Sequence, residues 1–198
     1  MPGLPRFFLA RHGDTAWTDA RRKTGRTDLD LNSHGEVRAR QLGEQLHRFN
    51  FVRVFSSPLK RALRTCELAG YKPAAELSSD LLEWDYGRFE GKLSAEIFEE
   101  RPDWELFRDG CPDGESPQDV ALRCNHFIQG LRDISGDILA FSSGHAIRMM
   151  AACWLGLHPA LGRVFFCRPA SVGVLSYEHN HREEPIIALW NYVRREND

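Results

Sequence analysis

Nothing in this 198-residue chain approaches the ~18 consecutive apolar residues that a membrane-spanning helix needs, so no membrane partner is expected. The opening MPGLPRFFLARHGD carries two prolines and lacks the positive region and cleavage site of a secretory leader. Cysteine is scarce and odd in number: the five are Cys66, Cys111, Cys124, Cys153 and Cys167, with no C-x-x-C pair. Neither a disulfide framework nor a zinc ribbon is encoded, and no metal or cofactor is expected. A reducing, cytoplasmic compartment fits that usage. An excess of one charge is lacking too. Lys and Arg number 26 against 28 Asp and Glu, a formal net charge of -2, which gives no basic face for nucleic acid. Repeats, low-complexity tracts and linkers are absent. What is present is ordinary globular material, 42% apolar and 11% aromatic. A chain of this length buries roughly 70% of its unfolded surface without a staple. One domain spanning residues 1–198 is expected.

The pattern alternates strands and helices. Arg6 to Ala10 (RFFLA), Val52 to Ser56 and Asp137 to Ser142 (DILAFS) read as short buried strands. A helix begins at Ser33: Ser33 and Glu36 have capping-box spacing, and Ala39, Leu42, Leu46 and Phe49 form an apolar stripe. Ser57-Pro58 reads as the N-cap and first position of a second helix, which Gly70 closes. After a turn-rich loop from Gly110, Ser116-Pro117 opens a third with the stripe Val120, Cys124, Phe127 and Leu131. His145 to Leu155 reads as a fourth, stopped by Gly156. SVGVLSYEH and PIIALWNY read as the two strands of a hairpin. Strands separated by helices predict an α/β fold: a three-layer α/β/α sandwich around a mostly parallel central sheet. The polar terminus, residues 194–198, is expected to fray.

Parallel sheets bind ligands at the carboxyl ends of their strands. Each buried strand here runs into polar residues: Arg11-His12-Gly13, then Ser56-Ser57-Pro58 with Arg61 one helical turn on, then Ser143-Gly144-His145. Two guanidiniums and a helix N-terminus suit a dianionic phosphate, because Arg forks match phosphate oxygens. A neutral imidazole facing phosphorus can form a covalent intermediate, and a second can neutralise developing charge. Gly13 lets the backbone come close. A leaving alkoxide needs a proton. Glu83, between Leu82 and Trp84, has apolar and aromatic neighbours that raise its pKa and keep it protonated as a general acid.

Other residues carry two readings each. Ser57 is a sufficient N-cap or a phosphate contact. Tyr86 is a core aromatic or lines the substrate. Arg148, one turn after His145, faces the same pocket or solvent. Arg21-Arg22-Lys23 is a solvated run or holds a second anionic group through Lys23. His179 in the hairpin turn is solvated or touches substrate at the rim. Trp104, Phe107 and Arg108 form a flap or pack the core. No G-x-S-x-G elbow occurs, so a serine hydrolase is excluded.

In family order, the blocks ARHGDTAW, KTGRTDLDLNSHGE, FSSPLKRALRT, LLEWDYGRFEG and SSGHAIR span Ala10 to Arg148. On them the chain resembles the histidine phosphatase superfamily, the phosphoglycerate mutase-like group named for its RHG motif. LLEWDYG, WELFRDGCPDGES and SVGVLSYEH add a likeness to bacterial acid phosphatases and sedoheptulose-bisphosphatase-type sugar phosphatases. The resemblance implies a phosphoglycerate mutase-like fold and a phosphohistidine on His12. It implies that Arg11, Arg61 and His145 complete the phosphate pocket, that Glu83 is the proton donor, and that Thr24 and Gly25 touch the phosphate. Thr18 stands where the mutase pattern has Asn, as a shorter donor. The expected partner is a small phosphoester, with hydrolysis favoured over mutase transfer or mere binding, and relatives imply a possible homodimer.

Overall fold

The computed structural model describes residues 3–193; the expected fraying of 194–198 lies outside them. Six strands form one sheet: β1 (Arg6–Arg11), β2 (Phe51–Ser56), β3 (Ala75–Leu77), β4 (Asp137–Ser142), β5 (Val172–Tyr177) and β6 (Pro185–Tyr192). Their order is β3-β2-β4-β1-β5-β6. β3, β2, β4 and β1 are mutually parallel, while β5 runs antiparallel to β1 and to β6. The helices are α1 (Ala16–Asp19), α2 (Ser33–Leu46), α3 (Lys60–Leu68), α4 (Ser94–Glu100), α5 (Leu106–Asp109), α6 (Pro117–Leu131) and α7 (Gly144–Trp154). None is long and apolar enough to cross a membrane among the described residues.

The side-chain period of two divides each central strand between two cores. Phe8 and Ala10 of β1, with Leu139 and Phe141 of β4, pack against Leu42 and Leu46 of α2 and Cys66 of α3. Phe7 and Leu9, with Ile138 and Ala140, face Val120, Cys124 and Phe127 of α6 and Met149 and Met150 of α7. Continuous apolar runs on β1 and β4 are therefore what a sheet covered on both sides requires. Helix, sheet, helix is the three-layer sandwich expected. Burying a Phe side chain such as Phe7 or Phe8 contributes about 1.5–3 kcal/mol, which makes these strands the anchor of the rim.

Two helix starts differ from expectation. The cap of α2 is Asn32, whose side chain accepts from Gly35 N–H at 2.7 Å, and Ser33 is the first helical residue. Glu36 turns outward to Arg64 and Arg40 rather than back to the cap. α3 starts at Lys60, not at Pro58, with Leu59 at the cap position. An acceptor from another loop does the capping: Lys60 N–H donates to Asp28 Oδ1 at 2.7 Å. Ser57 thus sits in the turn before the helix, where its Oγ accepts weakly from Leu59 N–H at 3.4 Å. The Ser116 cap, the α6 stripe, the close of α7 at Gly156 and the β5–β6 hairpin are as the pattern reads.

Candidate active site

The register of the parallel strands brings their ends to one rim. His12 N–H donates to Ser142 O at 3.0 Å, and Ser57 N–H donates to Phe141 O at 2.9 Å. Gly13 makes the next step possible. A Cβ there would lie 2.4 Å from the Gly35 carbonyl oxygen, so only glycine lets the strand end press against the start of α2. A cavity of about 160 Å³ opens on this rim, lined by Arg11, His12, Thr18, Arg21, Arg22, Lys23, Thr24, Glu83, Tyr86 and His145. A second lobe of about 180 Å³ shares Lys23 and His145 with it and adds Trp104, Phe107 and Arg148.

His12 is 3% exposed. Its Nδ1 lies 2.7 Å from the Gly13 carbonyl oxygen, which can only accept, so Nδ1 carries the proton and Nε2 keeps a lone pair. Burial, then the charges of Arg61 and Arg11, hold the imidazole pKa well below its usual 6.5. The ring is neutral at neutral pH.

Arg61 is fully buried, a costly place for a cation. Its Nη atoms donate to the carbonyls of Thr27 at 2.9 Å, Gly25 at 2.7 Å and Thr24 at 3.3 Å. Arg11 Nη1 donates to Cys167 O at 2.7 Å. The Nε atoms of both guanidiniums are buried without a partner among the described residues. The loop that accepts from Arg61 is itself held by Glu90, whose carboxylate takes Gly25 N–H at 2.9 Å and Thr27 N–H at 3.1 Å. A Cβ on Gly25 would stand 2.3 Å from the Trp84 carbonyl oxygen.

Glu83 departs from expectation. Burial by itself would push its pKa up, as the sequence argument holds. Around it, however, His145 N–H donates to Oε2 at 3.0 Å, and Ala146 N–H and Trp84 N–H donate to Oε1 at 2.9 and 3.0 Å. Together with the His145 imidazole, 3.8 Å away, these hold the carboxyl well below the ordinary range. His145 is itself pushed down to about 4, by burial first, so it is neutral near pH 7. The backbone donors at the start of α7 add to the effect of the His145 side chain. Glu83 is ionised in the free protein.

His145 Nδ1 lies 2.5 Å from the Tyr86 hydroxyl, and its ring stands between Tyr86 and Phe107. Lys23 lies over Trp104, with its pKa lowered by burial. Arg148 lies over Phe107 and donates to Gly162 O. Thr18 and Thr24 line the cavity, and Thr24 Oγ1 donates to Arg22 O. Ser57, Gly25 and the buried Arg61 lie behind it, outside the lining.

Two further candidates point away from both lobes. Arg108 is turned away by its pair with Asp109, and it lines a separate surface pocket with Arg101 and Asp103. His179 is 74% exposed and pairs with Glu184 in the hairpin turn. Local sequence gives no reach or direction for a loop residue, and strong neighbouring carboxylates decide both cases.

Sequence reasoning overlooks the supports. Glu90 stands inside the quoted LLEWDYGRFEG block, so the block itself holds the signal. Glu115 receives Asp85 N–H at 2.8 Å and pairs with Arg123, which donates to Leu82 O at 2.7 Å and fixes the Glu83 loop. Nothing local marks that pair.

Comparison with known proteins shows wide likeness. The sequence profile of the histidine phosphatase superfamily (branch 1) matches residues 7–192. The chain is 31% identical to a sedoheptulose 1,7-bisphosphatase of Saccharomyces cerevisiae, over 96% of this chain and 94% of that protein. It is 36% identical to an acid phosphatase of Mycobacterium tuberculosis, over 93% and 92%. A solved open-reading-frame product of Mycobacterium tuberculosis superposes with TM-score 0.88 at 34% identity, over 95% and 97%. A mycobacterial glucosyl-3-phosphoglycerate phosphatase shares the fold, with TM-score 0.83 at 24% identity, over 95% and 99%.

Proposed function

The chain belongs to the histidine phosphatase superfamily (branch 1), and from that membership we propose a metal-independent phosphomonoesterase that works through a phosphohistidine on His12. Its substrates are small phosphorylated metabolites, sugar phosphates foremost. Relatives named as a sugar bisphosphatase and an acid phosphatase support that class. One observation carries the mechanism: His12 is buried and neutral, with Nδ1 tied to Gly13 and Nε2 left free beside two arginines whose Nε donors have no partner among the described residues.

The phosphoryl group sits between Arg11 and Arg61, which neutralise its charge as a metal would elsewhere. His12 Nε2 attacks phosphorus; the N–P bond forms as the ester P–O bond breaks. The departing alkoxide takes a proton from Glu83. Since the free Glu83 is a carboxylate, that proton arrives with the substrate. A phosphoester loses its second proton near pH ~6, and a phosphate dianion beside a carboxylate raises the carboxyl's affinity for it. Water then attacks phosphohistidine, Glu83 takes its proton, and inorganic phosphate leaves. His145, held by Tyr86 at the junction of the two lobes, faces the ester oxygen and the rest of the substrate. Lys23, Arg148, Phe107 and Trp104 line the space for that remainder.

The test is phosphate release from a panel of sugar mono- and bisphosphates, phosphoglycerates and phosphopeptides, with chelator, for the wild type and His12→Ala. Turnover lost in His12→Ala with the fold intact supports the reading. Wild-type rates in that variant overturn it, and an isomerised phosphoester in place of free phosphate marks a mutase.

A further inference from the structure

Glu83 stands on a stretch of chain, residues 82–86, that belongs to no helix or strand. Short 3-10 turns flank it, Ser79–Leu81 and Gly87–Phe89. Buried backbone without a ladder must find its partners elsewhere. Here four successive carbonyls, Asp80 to Glu83, accept from side chains of other elements. Ser142 Oγ of β4 donates to Leu81 O at 2.7 Å. The others belong to Arg123 of α6. Its Nη1 donates to Asp80 O at 2.8 Å and to Leu82 O at 2.7 Å, and its Nη2 donates to Glu83 O at 3.3 Å.

The rest of that guanidinium goes to Glu115. Nε donates to Oε1 at 2.8 Å and Nη2 to Oε2 at 3.2 Å. Glu115 holds the far side of the same stretch. Its Oε2 accepts Asp85 N–H at 2.8 Å, its N–H donates to Asp85 O at 3.0 Å, and its carbonyl accepts the Trp84 indole N–H at 2.8 Å. The turn-rich loop that carries Glu115 fits here without slack: a Cβ on Gly114 would lie 2.3 Å from Asp85 O. Glu115 also pairs with Arg26 at 3.4 Å, next to Gly25 in the loop that accepts from Arg61. The acid loop and the arginine-seating loop thus meet on one pair, Arg123 and Glu115. Arg123 lines neither lobe of the cavity, and its side chain is 13% exposed. Packing of Val120, Cys124 and Phe127 already seats α6, so the fold of that helix does not call for a buried cation.

We propose that Arg123 is a positioning residue of the reaction: by spanning Asp80, Leu82, Glu83 and Glu115, it holds the Glu83 backbone where the carboxyl reaches the ester oxygen. This inference rests on the phosphatase reading above, with Glu83 as its acid. The N–H groups of α7 hold the carboxylate at rest. When Glu83 turns its proton to the leaving oxygen, those bonds loosen, and the backbone then sets where the carboxyl stands. Proton transfer needs the two heavy atoms within about 2.6–3.2 Å. A planar guanidinium has five donors and serves three carbonyls and a carboxylate together; an ammonium has three and cannot.

The experiment compares wild type, Arg123→Lys, Arg123→Gln and Glu83→Gln by kcat/KM on a sugar phosphate and on 4-nitrophenyl phosphate. Vanadate inhibition constants and thermal midpoints are measured in parallel. Arg123→Lys keeps a charge beside Glu115 and so a folded chain; should Arg123→Gln not fold, the lysine variant decides by the same criteria. A misplaced acid matters only where the leaving group needs a proton. Both Arg123 variants should lose about 10- to 100-fold on the sugar phosphate and less than about 3-fold on the aryl ester. The vanadate constant should hold, and lysine should retain more activity than glutamine. A merely structural role predicts a lowered midpoint with equal losses on both esters, or with none. Either result overturns the proposal, and so does a weakened vanadate constant. If the wild type hydrolyses neither ester, the phosphatase reading falls and takes this inference with it. If Glu83→Gln loses equally on both esters, the acid role falls, and this inference again with it. If Glu83→Gln discriminates between the esters and the Arg123 variants do not, only the role of Arg123 falls.

Discussion

Replacing Glu83 with Gln should separate two jobs that one carboxylate does. The first is structural. The carboxylate accepts three backbone N–H groups, from Trp84, His145 and Ala146. An amide oxygen placed at Oε1 keeps Trp84 and Ala146, but the amide nitrogen then meets His145 N–H, donor to donor. One buried N–H left without an acceptor costs about 1–3 kcal/mol. In a chain of this length each kcal/mol lowers the thermal midpoint by about 2–4 °C. The second job is chemical. General acid catalysis contributes about 100- to 10,000-fold where the leaving group needs a proton. A sugar alkoxide needs one; 4-nitrophenolate leaves without help. The informative quantity is kcat/KM, which ends at departure of the leaving group and so reports the phosphorylation step alone. For Glu83→Gln it should fall by that full factor on a sugar phosphate and by less than about 10-fold on 4-nitrophenyl phosphate. Calorimetry shows separately that the variant is folded. Because Glu83 also activates the water of the second step, kcat on the two esters should converge on one low value. Equal losses of kcat/KM on both esters in a folded variant would refute the general-acid role.

Other predictions follow from the same contacts. The native pKa values of His12 and His145 lie below the unfolded value of 6.5, so between those values the unfolded chain binds protons that the native state refuses. Their contribution is fully present above about pH 6.5 and is lost as pH falls toward about 4 for His145. The thermal midpoint should drop on acidification through that window, and a midpoint that rises there contradicts the burial of neutral imidazoles. All five cysteines are free, and burial pushes the Cys66 and Cys111 thiols up to about 12 and Cys153 to about 11. A thiol reagent at mild alkaline pH should label the native chain slowly and the unfolded chain fully; rapid native labelling contradicts this packing. In Gly25→Ala, the new Cβ 2.3 Å from Trp84 O must push away the loop that seats Arg61. Displacing a positioned group by about 1 Å can cost about 100-fold, so kcat/KM should fall by that order, and an unchanged value would show that the loop does not set the site.

Much of this site is legible in sequence because parallel strands convert adjacency into geometry. Arg11-His12, Ser57 with Arg61, and Ser143-Gly144-His145 each follow a buried strand, so finding the strands places the rim. What escapes is any effect settled by contacts distant in the chain. The α3 cap comes from Asp28, and the α7 cap comes from Glu83, 62 residues before His145. The direction of the Glu83 pKa is the clearest instance. Apolar neighbours are readable around it, but the His145 side chain and the backbone N–H groups that outweigh them belong to a helix the sequence cannot dock. Arg108 and His179 show the same limit from the other side: each is local to a plausible rim loop, and each is drawn off by a carboxylate, Asp109 or Glu184. The Ser143 hydroxyl is readable as a cap and is not one, again because Glu83 arrives from elsewhere.

The central claim is that phosphate passes through His12. The direct test is a rapid quench of the enzyme with radiolabelled phosphoester, followed by mapping of any labelled peptide under alkaline conditions. With labelled 4-nitrophenyl phosphate, whose leaving group needs no acid, Glu83→Gln should make the intermediate accumulate, since its second step lacks a base. The account predicts label that is stable to alkali, labile to acid, and confined to the peptide carrying His12. Absence of any phosphoenzyme during turnover, or acid-stable label on another residue, would contradict it.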